Sequence, residues 1–215
     1  MFNNLKDRIK DKNLIIFGEI HGTKEIPMIL SQFFSEIAKE ESFNVCLEIP
    51  VEFQDNIEDF FRVNKEDIKN SDGRNSLEYL KLIQNLRNLN KKYNQDIKIL
   101  CIDPVANNQE EKEKGLAENI LKYLSNKKTF VIMGSIHASK NIIRFQEKII
   151  VPTGNILYKK LGNKIFNINI LPSEGGFHNL GVKKITGNMD SPLNKGFDYI
   201  FKIDKVTPCS FQKKV

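Results

Sequence analysis

The chain lacks most of the marks by which a protein class is recognised. Its 215 residues include only three cysteines, Cys46, Cys101 and Cys209. They are odd in number and far apart, and two lie in apolar strand-like runs where cysteine behaves as a small hydrophobe, which argues against a disulfide framework. No apolar run reaches the roughly 18 residues of a membrane-spanning helix. The opening MFNNLKDRIKDK is too charged for a signal peptide, so the expected address is the cytoplasm. Internal repeats, low-complexity segments and Pro/Gly/Ser-rich linkers are missing too. With 40% hydrophobic residues the chain can bury one substantial core and is short for two, so residues 1–215 are expected to form a single domain.

Catalytic signatures are absent in the same way. There is no Gly-x-Ser-x-Gly elbow, P-loop, GxGxxG or HExxH. Ser135 and Ser139 stand in GSIHAS without an elbow, which discounts a serine acyl-enzyme, and the simple nucleotide and zincin assignments fall with the other motifs. The formal net charge is +6, but lysines alternate with acids in NKEDIKN and EEKEKG. Nucleic-acid binding needs a clustered basic face, so these charges read as solvated surface, with neither nucleic acid nor membrane as a partner. The terminal SFQKKV is expected to fray.

What is present is an alternation of short apolar runs and helical patterns, the mark of an α/β domain with a central, mostly parallel sheet flanked by helices. Strands are expected at 13–19, 44–50, 97–104 and 129–137, with two more at 164–171 and 198–204. Helical spacing appears in 26–40, where Ile26, Ile29, Leu30, Phe33, Phe34 and Ile37 share a face. It recurs after Asn75, a candidate cap with Glu78 three residues on, through Tyr79, Leu82, Ile83, Leu86 and Tyr93. Asn108 with Glu111 opens another helix through Leu116, Ile120 and Leu124, and Pro152 and Gly162 bracket a short one. Residues 172–197 read as loop.

Four strands end alike, in polar residues just before a loop or helix: Glu19 and His21, Glu48, Asp103, and His137. In a parallel sheet all carboxyl ends lie on one edge, where ligands bind, so four separate segments can deliver these groups to one place. Each has a plain structural alternative. His21 can cap a helix, and Asp103 before Pro104 can serve a turn. Glu19 and Glu48 are harder to set aside, because a carboxylate inside FGEIH or CLEIP risks burial and a buried charge needs a partner. His137 repeats the Gly-x-x-His spacing of His21, with Gly134 and Gly18 three residues upstream. His178, in EGGFHN, reads as a surface residue. Water activation is the chemistry such a set supports, either by an imidazole backed by a carboxylate or by a divalent metal held by Glu19, His21, Glu48 and His137. No cofactor is required by the pattern.

FGEIHGTKEIP resembles the opening motif of the erythromycin esterase-like family, within a wider superfamily that includes Tiki/TraB proteases and haem-binding uptake proteins. The likeness continues through CLEIP, the helix and strand ending in CIDP, MGSIHAS, PTGNILYKKLGNKIFNINI and FDYIFKIDKVTP, in the same order. It implies a compact form of that domain, without the long helical region of full-length esterases, hydrolysing an ester or related acyl bond of a small molecule. In that scheme His21 is the general base, Glu19 and Glu48 orient it or the substrate, and His137 stands near the developing oxyanion. Asp103 and Arg74 are the substrate-binding candidates, with Arg144 a further arginine; both arginines read as surface residues. The same resemblance implies two alternatives, a divalent-metal-dependent hydrolase or protease of Tiki/TraB type and a non-enzymatic haem or small-ligand binder.

Overall fold

The run LIIFGE is buried at every position, as a strand covered on both faces of a parallel sheet must be. It is the second element of a computed structural model that describes residues 2–62, 65–145, 148–186 and 191–212. In chain order the elements are α1 (Asn3–Ile9), β1 (Leu14–Glu19), α2 (Glu25–Ile37), β2 (Phe43–Pro50), α3 (Lys65–Asn70), α4 (Leu77–Tyr93), β3 (Lys98–Asp103), α5 (Gln109–Tyr123), β4 (Lys128–Gly134), α6 (Ser135–Ala138), β5 (Ile143–Phe145), β6 (Lys148–Ile150), α7 (Thr153–Leu161), β7 (Ile165–His178), β8 (Val182–Thr186) and β9 (Tyr199–Val206).

These strands build one seven-stranded sheet in the order β3-β2-β4-β1-β7-β8, with β9 paired to β7. Among the described residues only the β7–β8 pairing of this sheet is antiparallel; every other pair in it is parallel. β5 and β6 form a separate two-stranded ribbon. The fold is therefore a single α/β domain with a mostly parallel central sheet, as the alternation of patterns predicts. No helix among the described residues is long and apolar enough to cross a membrane.

Strand alternation divides the interior into two cores. Ile15 and Phe17 of β1 face α2 and α4, in a cluster whose centre is a packed group of phenylalanines including Phe33, Phe34, Phe43 and Phe130. Leu14 and Ile16 face α5 and α7, together with Leu116, Ile120 and Leu157. A one-residue slip of β1 would exchange the two sets, so burial on both sides pins the register. That register also decides which face each polar strand end takes.

Several expectations are corrected. Ser76, not Asn75, caps α4, its hydroxyl accepting from the Tyr79 backbone N–H. β4 stops at Gly134, and His137 projects from the single turn α6 rather than from the strand. The 172–197 region is not a loop throughout: β7 runs on to His178 and turns back as β8, while 187–190 lies outside the described residues. The charged opening, for which no element is expected from the sequence, folds as α1, burying Phe2, Leu5 and Ile9. The last three residues of SFQKKV are outside the described residues.

Candidate active site

The carboxyl ends of β1, β2, β3 and β4 are adjacent in the sheet, and Glu19 is in register with Gly134 as Pro50 is with Asp103. On β1, Glu19 continues the Ile15–Phe17 side and so points toward α4. There it meets Tyr79, whose hydroxyl donates to Glu19 Oε1. On β2, Glu48 continues the side of Cys46, and Lys112 of α5 reaches its Oε1 at 3.2 Å. Two carboxylates two strands apart thus approach the edge from opposite faces of the sheet.

His21 closes the gap between them. The strand ends at Glu19, so His21 is placed by the following bend and not by strand alternation. Its Nδ1 donates to Glu19 Oε1 at 2.5 Å, and its Nε2 lies 3.4 Å from Glu48 Oε2. His137 faces the same carboxylate from the other side, with Nε2 3.6 Å from Glu48 Oε1. A second acid backs it: His137 Nδ1 donates to Glu113 Oε1 at 2.7 Å. Glu113 is fixed in turn by the Thr153 N–H and hydroxyl at 2.8 and 2.6 Å and by Gln109 at 2.6 Å. The array reads Glu19–His21–Glu48–His137–Glu113, with Glu48 shared.

Glu48 is braced on its remaining sides. The Gly134 N–H donates to Oε2 at 2.9 Å, and Arg74 Nη1 lies 3.4 Å from Oε1 and donates to the Glu48 carbonyl at 2.9 Å. Arg74 also binds Asp103 Oδ2 at 2.6 Å and Asp72 Oδ2 at 2.7 Å, and Lys112 lies 3.2 Å from Asp103 Oδ1. Gly134 matters for what it lacks. A Cβ there would stand 3.2 Å from His21 Nε2, 3.4 Å from the His137 ring and 3.8 Å from Glu48 Oε2. The missing methyl leaves a small space bounded by all three groups.

The electrostatics follow from burial and pairing. Burial opposes charge on His21, but Glu19 and Glu48 outweigh it and push its pKa up to about 10. Burial likewise opposes charge on His137, and Glu48 and Glu113 raise its pKa all the same. Glu48 is buried, yet His137, His21 and Arg74 hold it well below the usual carboxylate range. Glu113 is lowered in spite of burial, by His137 and Thr153. Burial and Glu19 push Tyr79 well above an ordinary phenol, so it remains a donor. Among the described residues Glu19 Oε2 is buried without a hydrogen-bond partner, while Oε1 takes both the His21 and the Tyr79 contacts.

All six of Glu19, His21, Glu48, Arg74, Asp103 and His137 thus come together, and Arg74 is not a surface residue. Arg144 is exposed on β5. His178 is buried, contrary to the surface reading. Its Nε2 donates to the Ile68 carbonyl at 2.9 Å and its backbone N–H to the Gly22 carbonyl, so it ties α3 to the bend after β1. Three members were missed in the sequence: Lys112, Glu113 and Tyr79. EEKEKG reads as solvated charge, but Glu113 is three, four and seven residues from Leu116, Ala117 and Ile120, on the buried stripe of α5. An acid at a stripe position is the available signal. Tyr79 occupies the equivalent place on α4, where its hydroxyl passes as one more apolar contact.

Neither a divalent metal nor haem suits this donor set. Among the described residues no three His, Cys, Asp or Glu side chains form a ligand group. The lone pairs of Glu48 already face an arginine, a lysine and a backbone N–H, so the cluster supplies its own cations. A haem ligand needs an imidazole open to a broad slot. Here both Nε2 atoms face Glu48, and the cavity beside His21 holds about 10 Å³, room for about one water.

No protein-family model matches the chain, and no curated protein does either. Solved structures with similar folds include a succinoglycan biosynthesis protein, at TM-score 0.78 and 13% identity over 98% of this chain and 92% of that one. They also include an erythromycin esterase mutant of EreC in its open conformation, at 0.63 and 9% over 88% and 79%. ChaN of Campylobacter jejuni, described with cofacial haem binding, matches at 0.51 and 16% over 93% and 90%. At these identities the likeness is one of fold.

Proposed function

We propose that the chain is a hydrolase that activates water to cleave an ester or related acyl bond of a small molecule. The observation that supports this best is the pair of carboxylate-backed imidazoles facing Glu48 across the space left by Gly134. A water held in that space meets the His21 base, and a carbonyl presented at its rim meets His137 as proton donor. With Nδ1–H directed at Glu19, neutral His21 takes a proton at Nε2 from a water whose oxygen attacks the carbonyl carbon. The ester C–O bond breaks, and the His137 imidazolium protonates the leaving alkoxide. Acid and alcohol depart; His21 has gained the proton that His137 lost, and exchange with solvent restores both. Arg74 and Lys112 add positive charge near the developing oxyanion, and Arg74 with Asp103 orients the substrate. The fold shared with an erythromycin esterase agrees with this chemistry.

The test is turnover of a panel of small aryl esters and lactones by the purified chain and by His21→Gln. Glutamine keeps an N–H for Glu19 while removing the base, so the rate is expected to fall about 100-fold or more, with a melting temperature below the parent's near pH 7 and closer to it near pH 10, where the imidazolium contribution fades. His21→Ala is the poorer variant, because it strands the buried Glu19 charge and costs stability. An undiminished rate in His21→Gln would overturn the proposal. A melting temperature raised by haem, with no ester turned over, would make the chain a binding protein instead.

A further inference from the structure

We infer that the groove between the start of α5, strand β6 and the start of α7 receives a hydrocarbon chain of the substrate. This rests on the hydrolase proposed for the same site. The cavity at His21 accommodates little more than the reacting atoms, so the bulk of any substrate lies outside it. Two hollows adjoin the cluster. One, of about 260 Å³, is lined by Asp103, Asn107, Asn108 and Lys112 and is polar. The other, of about 700 Å³, has walls of Ile149, Ile150, Val151 and Ile156, a volume within the range of small-molecule sites.

The apolar groove is coupled to the chemistry through Glu113. That residue lines the groove and is also the carboxylate that holds His137. Asn108 and Gln109 border both hollows, and Gln109 donates to Glu113, so the first turn of α5 divides a polar outlet from an apolar one. Ile149 is 60% exposed and Val151 38%. Covering such surface gains about 25 cal/mol per Å², which a saturated chain lying along β6 can supply and a polar ligand cannot. Lys114 and Lys148 line the same groove together with Glu110 and Glu113, and Lys114 pairs with Glu110 at 2.6 Å, so the charges around it balance and a neutral hydrocarbon chain is the fitting class.

Two measurements test this. In the first, kcat/KM is followed along an acyl series (p-nitrophenyl acetate, hexanoate, decanoate) and an alcohol series (ethyl, hexyl, decyl acetate). One series is expected to gain with length, and Ile149→Asp is expected to cut the decyl-to-short ratio about tenfold. Met28→Asp, equally exposed but on α2 across the sheet, is expected to leave that ratio unchanged. Whichever series responds tells whether the acyl or the alcohol chain occupies the groove. In the second, sodium decanoate is titrated into isoleucine-methyl-labelled protein, with shifts expected at Ile149, Ile150 and Ile156 and lost in Ile149→Asp. Methyl shifts without turnover would retain the groove as a hydrocarbon site while removing the hydrolase. Turnover indifferent to chain length, with unmoved methyls, would overturn the groove and leave the hydrolase standing.

Discussion

At the residue scale, the behaviour of the cluster depends on where its protons reside. An unfolded histidine titrates near 6.5, and His21 in the folded chain near 10. The folded state therefore holds an extra proton between those values, and the stability it contributes is complete below about pH 6.5 and lost as pH rises through about 10. Thermal melts are expected to fall between pH 7 and 10, with a limiting slope for one group of about 1.4 kcal/mol per pH unit. Glu19→Gln should flatten that fall, and a pH-independent melting temperature across the window would refute the pairing. Glu48 has the opposite sign: its contribution is complete above the ordinary carboxylate range and disappears as pH drops through its depressed folded value. Catalysis needs His21 neutral and His137 protonated, so turnover is expected to follow a bell in pH whose rising limb, set by His21, moves to lower pH in Glu19→Gln. Arg74 binds three carboxylates at once. Arg74→Met should cost about 3 kcal/mol or more, measured by denaturant unfolding, because it leaves Glu48 and Asp103 short of a partner.

At the scale of single elements, the conformation of a turn decides what the site can admit. Gly134 caps α6 with φ −57° and ψ 143°, angles open to any residue, so Gly134→Ala is expected to fold normally. Its methyl would nevertheless fill the space between His21 and His137, and ester turnover should drop by about 100-fold with a melting temperature within a few degrees of the parent. Gly73 is a different case. Its φ is +90°, and a Cβ would meet the Gly22 backbone at 2.2 Å, so Gly73→Ala should destabilise the chain and release the adjacent Arg74.

Elements also separate what the sequence shows from what it hides. Strands β1 to β3 are legible because an unbroken apolar run ending in a charge is rarely anything but a buried strand reaching an edge of its sheet. The edge that gathers Glu19, Glu48 and Asp103 follows from parallel topology alone. Glu113 is hidden because residue type outweighs its position on the helix, and Arg74, a substrate-binding candidate through the resemblance, reads as a surface residue because no periodic pattern surrounds it. The β7–β8 return is hidden by its glycines and asparagines, which usually mark a loop. Gly175 there, at φ +123°, lies against the Val206 backbone in the paired β9, so in this strand glycine permits close pairing instead of ending it.

At the scale of the whole molecule, the site is held from behind by the segment after β9. Thr207 accepts from the Lys24 N–H, Cys209 donates to the Gly22 carbonyl, and Ser210 accepts from the Leu77 N–H and donates to Glu78. This strap secures both the bend that carries His21 and the start of the helix that carries Tyr79. Deleting residues 207–215 is expected to lower the melting temperature by about 5 °C or more and to weaken turnover even though no catalytic group is removed. The measurements are a melt and an ester assay on the shortened chain.

The strand order has a consequence for how the molecule reaches this state. β1 lies inside the sheet with Leu14 beside Thr129 on one flank and Ile165 on the other, so each of its partners is distant along the chain. Loop closure of that kind is slow to be rewarded, and folding rate falls as contacts become non-local. Until β4 and β7 arrive, FGEIH is an unpaired apolar strand carrying a carboxylate with nothing to shelter it. The His21–Glu19 pair is thus expected to form late, in the same kinetic phase as the sheet itself, so that no partly folded form of this chain carries a working site.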